Sequence, residues 1–283
     1  MPVVFKNPNL TDYFVERDDV ALGTTFSSVI DEYEAGKVIT FPKLKLDIDF
    51  DFWANLPTDS YPVLKKMSSL AFRAGQGEDR ALNHNLAQAA LPAALEADIR
   101  TQISRFYDQL MPVYEAMFEG YQFTRRQAVW RLNQTLNENL HVDTYLEEFQ
   151  DHFARVFINL DNQPRIWQTG FTIEEMYEKF HHKIDRRVFE TGTRAEIWIE
   201  LNRVVFGGLS RMWWDCQPRH VAYFAPGDVW AVDSRQVAHQ IFYGRRAVSV
   251  DFWVDTASMK NPRKQYLGII EDFKQRRLCL DNV

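Results

Sequence analysis

Along "ALEADIRTQISRFYDQLMPVYEAMF" the apolar residues Leu95, Ile99, Ile103, Phe106, Leu110 and Tyr114 recur every three to four positions. That period predicts an amphipathic helix, within a stretch that reads as helical from Tyr61 to about Gly120. Pro112 should kink or end it. The first 60 or so residues are less regular. Within them "AGKVITFPKLKLDIDF" (35–50) places Val38 and Thr40, then Leu44, Leu46, Ile48 and Phe50, at alternate positions. This predicts short strands broken by Pro42. Beyond Phe123 the period shortens to two. "FARVFINL" (153–160) and "RAVSVDFWV" (246–254) are rich in β-branched and aromatic residues, as strands are. "YFAPGDVWAVDS" (223–234) reads as a turn at Pro226-Gly227 followed by a short strand, and "IFYGRRAVSVDFW" as a hairpin turning at Gly244. Helical inserts are expected at 172–188, where Thr172 and Glu175 form a capping-box signature, and at 194–215. A last amphipathic helix should follow Asn261-Pro262.

These elements predict a mixed α+β chain forming a single domain. A mostly helical layer spans 1–120, a β core spans 121–256, and a C-terminal helix lies within 257–283. No internal repeat or low-complexity linker interrupts it. With 46% hydrophobic and 14% aromatic residues, the 283-residue chain can bury a large core. A net charge of −6 argues against nucleic acid as a partner. No apolar run is long enough to span a membrane and no signal-peptide core is evident, so a cytoplasmic location is expected. Cys216 and Cys279 are too few for a disulfide framework and read as ordinary thiols.

The seven histidines supply the candidate chemistry. In "NLHVDTY" (139–145), His141 and Asp143 sit two apart. On a strand they would project from one face, with Val142 pointing away. Such a pair can give one imidazole nitrogen and one carboxylate oxygen to a single ion, or can simply be hydrogen-bonded to each other. His239, at the end of a strand after the Pro-Gly turn, is the natural third ligand. Together the three would form a 2-His-1-carboxylate facial triad, leaving three positions open on an octahedral ion. An early HxD and a late His suit a double-stranded β-helix, or jelly-roll, core. The remaining histidines lack a carboxylate two residues away on a strand, or lie on expected helices, and read as structural. Iron sites of this kind use 2-oxoglutarate, whose distal carboxylate calls for a buried cation. The "SVDFWVD" segment following His239 holds no base, and Arg245 and Arg246 fall at an expected solvated turn. Arg155 shares a strand face with Phe157 and Asn159, where either an anion or a salt-bridge partner would satisfy it.

Taken in order, "YEAGKVITFPKL", "RFYDQLMPVYEAMFEGY", "LHVDTY", "RVFINLDNQPRIW" and "FAPGDVWAVDSRQVAHQ" resemble the Kdo hydroxylases over most of the chain. That family comprises Fe(II)/2-oxoglutarate-dependent dioxygenases that hydroxylate a sugar of lipopolysaccharide. The resemblance implies iron held by His141, Asp143 and His239, with O2 and 2-oxoglutarate as cosubstrates. It implies Arg155 as the cosubstrate anchor, Arg131 of "AVWRLN" as a second arginine near it, and Arg165 and Trp167 as pocket lining; Asn159, on the strand face of Arg155, is a further pocket candidate from the alternation alone. Two stretches depart from the family pattern: "LNQTLNENL" before the HxD pair and "TYLEEF" after it. Both lie where such a barrel would admit its small-molecule substrate. The same oxygenase acting on a free amino acid, nucleoside or natural-product intermediate is therefore a competing expectation. A non-catalytic β-barrel binding a metal or small ligand is another.

Overall fold

The computed structural model describes residues 2–70, 78–132, 139–143, 151–207 and 217–279. From the N-terminus its strands are β1 (Val3–Phe5), β2 (Phe14–Glu16), β3 (Val38–Thr40), β4 (Lys66–Ser69), β5 (Phe123–Arg131), β6 (His152–Asn159), β7 (Arg165–Thr172), β8 (His220–Phe224), β9 (Val229–Ala231), β10 (Val237–Tyr243) and β11 (Ala247–Val254). The helices are α1 (Ile30–Glu34), α2 (Phe50–Ala54), α3 (Arg80–Ala89), α4 (Ala93–Met117), α5 (Ile173–Phe180), α6 (Arg186–Thr191), α7 (Arg194–Phe206) and α8 (Tyr266–Cys279).

The strands form two sheets, a smaller one ordered β1-β8-β7-β10 and a larger one ordered β2-β3-β9-β6-β11-β5-β4. Strand alternation sorts the larger sheet's residues to two faces. Ala154, Val156 and Ile158 of β6 and Val248, Val250 and Phe252 of β11 face outward into a core shared with Ile99, Ile103, Phe106, Leu110 and Tyr114 of α4. Phe157 of β6 and Trp230 of β9 face inward and meet Trp167 and Phe224 of the smaller sheet. The space between the sheets is therefore walled in part by aromatic rings.

Several expectations need revision. Leu44 and Leu46 are buried as their alternation predicts, yet 41–49 forms no strand. Side chains of α4 take the place of a partner strand there: Asp47 N donates to Gln109 Oε1 at 2.7 Å, and Gln109 Nε2 donates back to Asp47 O at 3.3 Å. The early region also contributes strands to both sheets. Pro112 does not end α4, which runs on to Met117. It lies on the exposed face, where the carbonyl it strands can be solvated, while buried Met111, Val113 and Tyr114 hold the last turn in place. The expected 172–188 helix divides into α5, a short 3-10 turn and α6, beginning at the capping box predicted at Thr172 and Glu175. The expected 194–215 helix is observed to Phe206, and its remainder, with Cys216, lies largely outside the described residues. The C-terminal helix starts at Tyr266, after a 3-10 turn at Pro262–Lys264.

The turn at Gly244 is not a hairpin. β10 pairs with β7 in the smaller sheet, whereas β11 pairs with β5 and β6 in the larger one, so the chain crosses between sheets there. A Cβ on Gly244 would come within 2.8 Å of Arg165 Cγ, so this crossing is closely packed. Arg245 and Arg246 are not a solvated tip either. Arg245 forks onto the buried Asp161 at 2.8 and 3.0 Å, and Arg246 is itself buried.

Candidate metal centre

His141 and Asp143 lie on an extended segment that touches the smaller sheet at one point. His141 and His239 exchange both backbone hydrogen bonds, at 3.1 and 2.7 Å, and form an isolated antiparallel bridge. Asp143 N donates to Ser234 O at 3.0 Å. Between the two polar residues Val142 turns the other way, into a second apolar core formed with α5, α7 and α8. α7 braces the segment from that side. Trp198 Nε1 donates to Asp143 O at 3.0 Å, and Asn202 Oδ1 accepts from Val142 N at 3.3 Å. Close approach to β7 is possible because residue 170 is glycine; a Cβ there would sit 2.9 Å from Leu140 Cδ2.

The three side chains converge. His141 Nε2 is 3.7 Å from Asp143 Oδ1 and His239 Nε2 is 3.9 Å from the same oxygen. All three ligand atoms lie within 4.8 Å of one another. Nδ1 of His141 faces Asn139 O at 2.6 Å, and Nδ1 of His239 faces Val237 O at 3.2 Å. A carbonyl can only accept, so each Nδ1 carries the proton and each Nε2 keeps its lone pair for a ligand role. Bonds of about 2.0–2.2 Å place cis donors of an octahedron roughly 3 Å apart, so this donor set fits a divalent ion after a small contraction. Burial pushes His239 down to about 4, keeping it neutral. Burial alone would raise Asp143, but its interaction with His141 and the charge of Arg155 hold it well below the usual carboxylate range.

The other sequence candidates fall into distinct places. Arg155 is beside the triad, where its Nη1 donates to Asp143 Oδ2 at 2.6 Å and its Nε to Asp251 Oδ1 at 2.7 Å. Two of its three nitrogens thus engage the protein's own carboxylates. Arg131 lies on the inner face of β5, since Ala128 and Trp130 turn outward into the α4 core. It is half-buried, opposite Ala247 of β11, and among the described residues no carboxylate pairs with it. Trp167 stacks on the imidazole of His239, with ring centroids 5.4 Å apart and 24° between planes. Arg165 is buried beneath Gly244. Asn159 corrects its expected pocket role. It is fully buried, its Nδ2 donates to Gln163 O and Phe224 O, and its Oδ1 accepts from Asp161 N. It therefore holds the β6–β7 turn.

Sequence reasoning missed Ser234, Asp251, Trp198 and Asn202. Asp251 left a trace: in "AVSVDFWV" polar Ser249 and Asp251 alternate with Val248, Val250 and Phe252. Trp198 and Asn202 lie four apart on one helix face, which is indistinguishable in sequence from ordinary core spacing. The divergent "LNQTLNENL" and "TYLEEF" stretches lie mainly outside the described residues.

The family profile for 3-deoxy-D-manno-oct-2-ulosonic acid (Kdo) hydroxylase matches residues 18–204. The chain belongs to the Kdo hydroxylase family. The matched span holds His141, Asp143, Arg131, Arg155, Arg165 and Trp167 and stops short of His239, which only the fold brings into the site. Among solved structures, the apo form of the Kdo hydroxylase KdoO, a non-haem Fe(II) α-ketoglutarate-dependent dioxygenase, is similar with TM-score 0.65 and 16% identity, over 92% of this chain and 95% of that one. The same enzyme with succinate and Fe(III) gives 0.66 at 16% identity, and with α-ketoglutarate and Fe(III) 0.58 at 18%, over the same shares of the two chains. At such identity the likeness carries the fold. No curated protein matches the sequence. Among the described residues, no helix is long and apolar enough to cross a membrane.

Proposed function

We propose that the protein is an Fe(II)/2-oxoglutarate-dependent hydroxylase of a Kdo-type sugar, with iron held by His141, Asp143 and His239. The observation that carries this is the convergence of two Nε2 atoms and Asp143 Oδ1 while both Nδ1 positions are tied to backbone carbonyls. The strand order supports reading the core as a double-stranded β-helix. The run β5-β11-β6-β9 faces the run β10-β7-β8, and the His141 bridge to β10 stands where an eighth strand would pair. When bound, iron with 2-oxoglutarate supplies the O2 activation that side chains lack. The chain's own task is to fix the ligands, bind the cosubstrate and wall the reaction from water. Arg131 is proposed as the cation for the distal carboxylate, because it is half-buried on the inner face and has no carboxylate partner among the described residues. Trp167 backs His239 and, with Arg165, is proposed as part of the inner wall of the substrate pocket.

Anaerobic titration of Fe(II) and 2-oxoglutarate should give the visible metal-to-ligand charge-transfer band of the ternary complex. Succinate formation should then rise when free or lipid-A-linked Kdo is added, and not with amino acids or nucleosides. Arg131→Ala should raise the apparent Kd for 2-oxoglutarate roughly ten- to hundredfold. A band that survives loss of both histidines would sink the metal assignment. Succinate formation coupled to an amino acid and not to Kdo would sink the sugar.

A further inference from the structure

Asp143 has two oxygens, and the structure treats them differently. Oδ1 faces both imidazole Nε2 atoms. Oδ2 faces away and receives two short hydrogen bonds, from Arg155 Nη1 and from the Ser234 hydroxyl, each at 2.6 Å. Arg155 Nη1 also donates to Ser234 Oγ, which closes a triangle of three groups. The outer members are fixed in turn. Asp251 Oδ1 holds Arg155 Nε at 2.7 Å, and the Ser249 hydroxyl donates to Asp251 Oδ2 at 3.1 Å. The Ser234 carbonyl accepts from Asp143 N, so one serine fixes both the backbone and the carboxylate of the ligand.

We propose that Ser234 and Arg155, with Asp251 behind them, are positioning residues that lock Asp143 into one-oxygen coordination. This inference rests on the iron reading above. A carboxylate oxygen has two in-plane lone-pair directions, and both at Oδ2 are taken by strong donors, one of them charged. To bring Oδ2 onto the ion would displace at least one of these two donors, at the cost of a short hydrogen bond from the serine or from the Arg155 charge. Denticity matters because the count of open positions does. Two imidazoles and one oxygen leave three of six positions, two for chelating 2-oxoglutarate and one for O2. A two-oxygen carboxylate would fill one of those three and compete with the cosubstrate. The lock therefore serves cosubstrate binding more than iron affinity. It also gives Arg155 a task distinct from anchoring the distal carboxylate.

The test compares Ser234→Ala, Ser234→Thr and Asp251→Asn in the full-length protein, using Fe(II) alone, then Fe(II) with 2-oxoglutarate, and Co(II) as a coordination probe. Ser234→Ala should keep Fe(II) affinity within a few-fold, raise the apparent Kd for 2-oxoglutarate at least about tenfold, and alter the Co(II) ligand-field spectrum. Ser234→Thr, which keeps the hydroxyl, should restore both. Asp251→Asn should shift both readouts in the same direction by a smaller factor, and stands in if Ser234→Ala does not fold. Unchanged 2-oxoglutarate affinity and Co(II) spectrum in these variants would overturn the lock while leaving the iron site standing. Equal loss in Ser234→Ala and Ser234→Thr would also overturn it. Absence of the charge-transfer band in the wild-type protein would overturn the iron reading and this one together.

Discussion

Among the described residues, a histidine, an aspartate and an arginine come together in two clusters that place the arginine differently. In the first, His141, Asp143 and His239 aim ligand atoms at a common point, and Arg155 stands behind the carboxylate. In the second, His152, Asp233 and Arg235 are all buried, and the guanidinium occupies the middle. Arg235 Nε and Nη2 donate to the two oxygens of Asp233 at 3.0 and 3.1 Å, and Nη2 also donates to His152 Nδ1 at 3.3 Å. Phe153 and Tyr266 cover the guanidinium on its two sides, their ring centroids 4.3 and 4.6 Å from Cζ. Where the cation belongs to the protein, the cluster is closed and structural. Where the cation stands behind the carboxylate, the ligand atoms in front can converge on a common point. Residue type does not separate the two cases; the position of the arginine does.

That contrast can be broken at several points. The largest effect should come from His239→Ala, which should lower Fe(II)-dependent succinate formation at least roughly a thousandfold while circular dichroism and melting stay near wild type. The reverse pattern is expected for Arg235→Ala. Removing one partner of a buried pair should cost about 3–5 kcal/mol in denaturant unfolding, with iron binding intact in whatever fraction remains folded.

A pH series should sharpen the comparison further. Burial, opposed by Asp233 and reinforced by Arg235, brings His152 down to about 3. The unfolded chain takes up this proton near the ordinary histidine value, so between about 6.5 and 3 it binds more protons than the native state. Stability from this group is complete above pH 6.5 and falls as the pH drops towards 3, by on the order of a few kcal/mol. Urea midpoints across pH 5–7.5 should show that slope, and His152→Phe should reduce it, leaving the part that buried His239 contributes. A slope unchanged in His152→Phe would assign the titration elsewhere. The smallest effect should be Thr193→Ala, which removes the cap of the helix bracing the HxD segment and should cost about 1 kcal/mol, read in the same unfolding assay.

The legible parts of the chain were those where one local pattern decides the outcome. The α4 stripe, the Thr172 cap, the Pro226-Gly227 turn and the outward-facing Val142 all follow from periods and short-range chemistry. The pairing of His141 with Asp143 was legible for the same reason. What the sequence does not encode locally is which strands meet. The alternation over 44–50 is the same whether a strand or the side chain of Gln109 lies beside it. "IFYGRRAVSVDFW" has the residues of a hairpin, and only the partners β7 and β5 decide that it crosses between sheets. Asp251 left only its alternation with Ser249 in the strand; the base it meets lies 96 positions away, directly across the β6–β11 ladder.

The crossing at Gly244 bears on how the strand that carries His239 is seated. β10, which carries His239, ends at Tyr243 in the smaller sheet and β11 begins at Ala247 in the larger one, with Gly244 resting on Arg165 of β7 between them. The seat of β10 against β7 is thus gauged at this end by a missing methyl group. A side chain at 244 would act as a shim against Arg165, pressing the end of β10 away from β7.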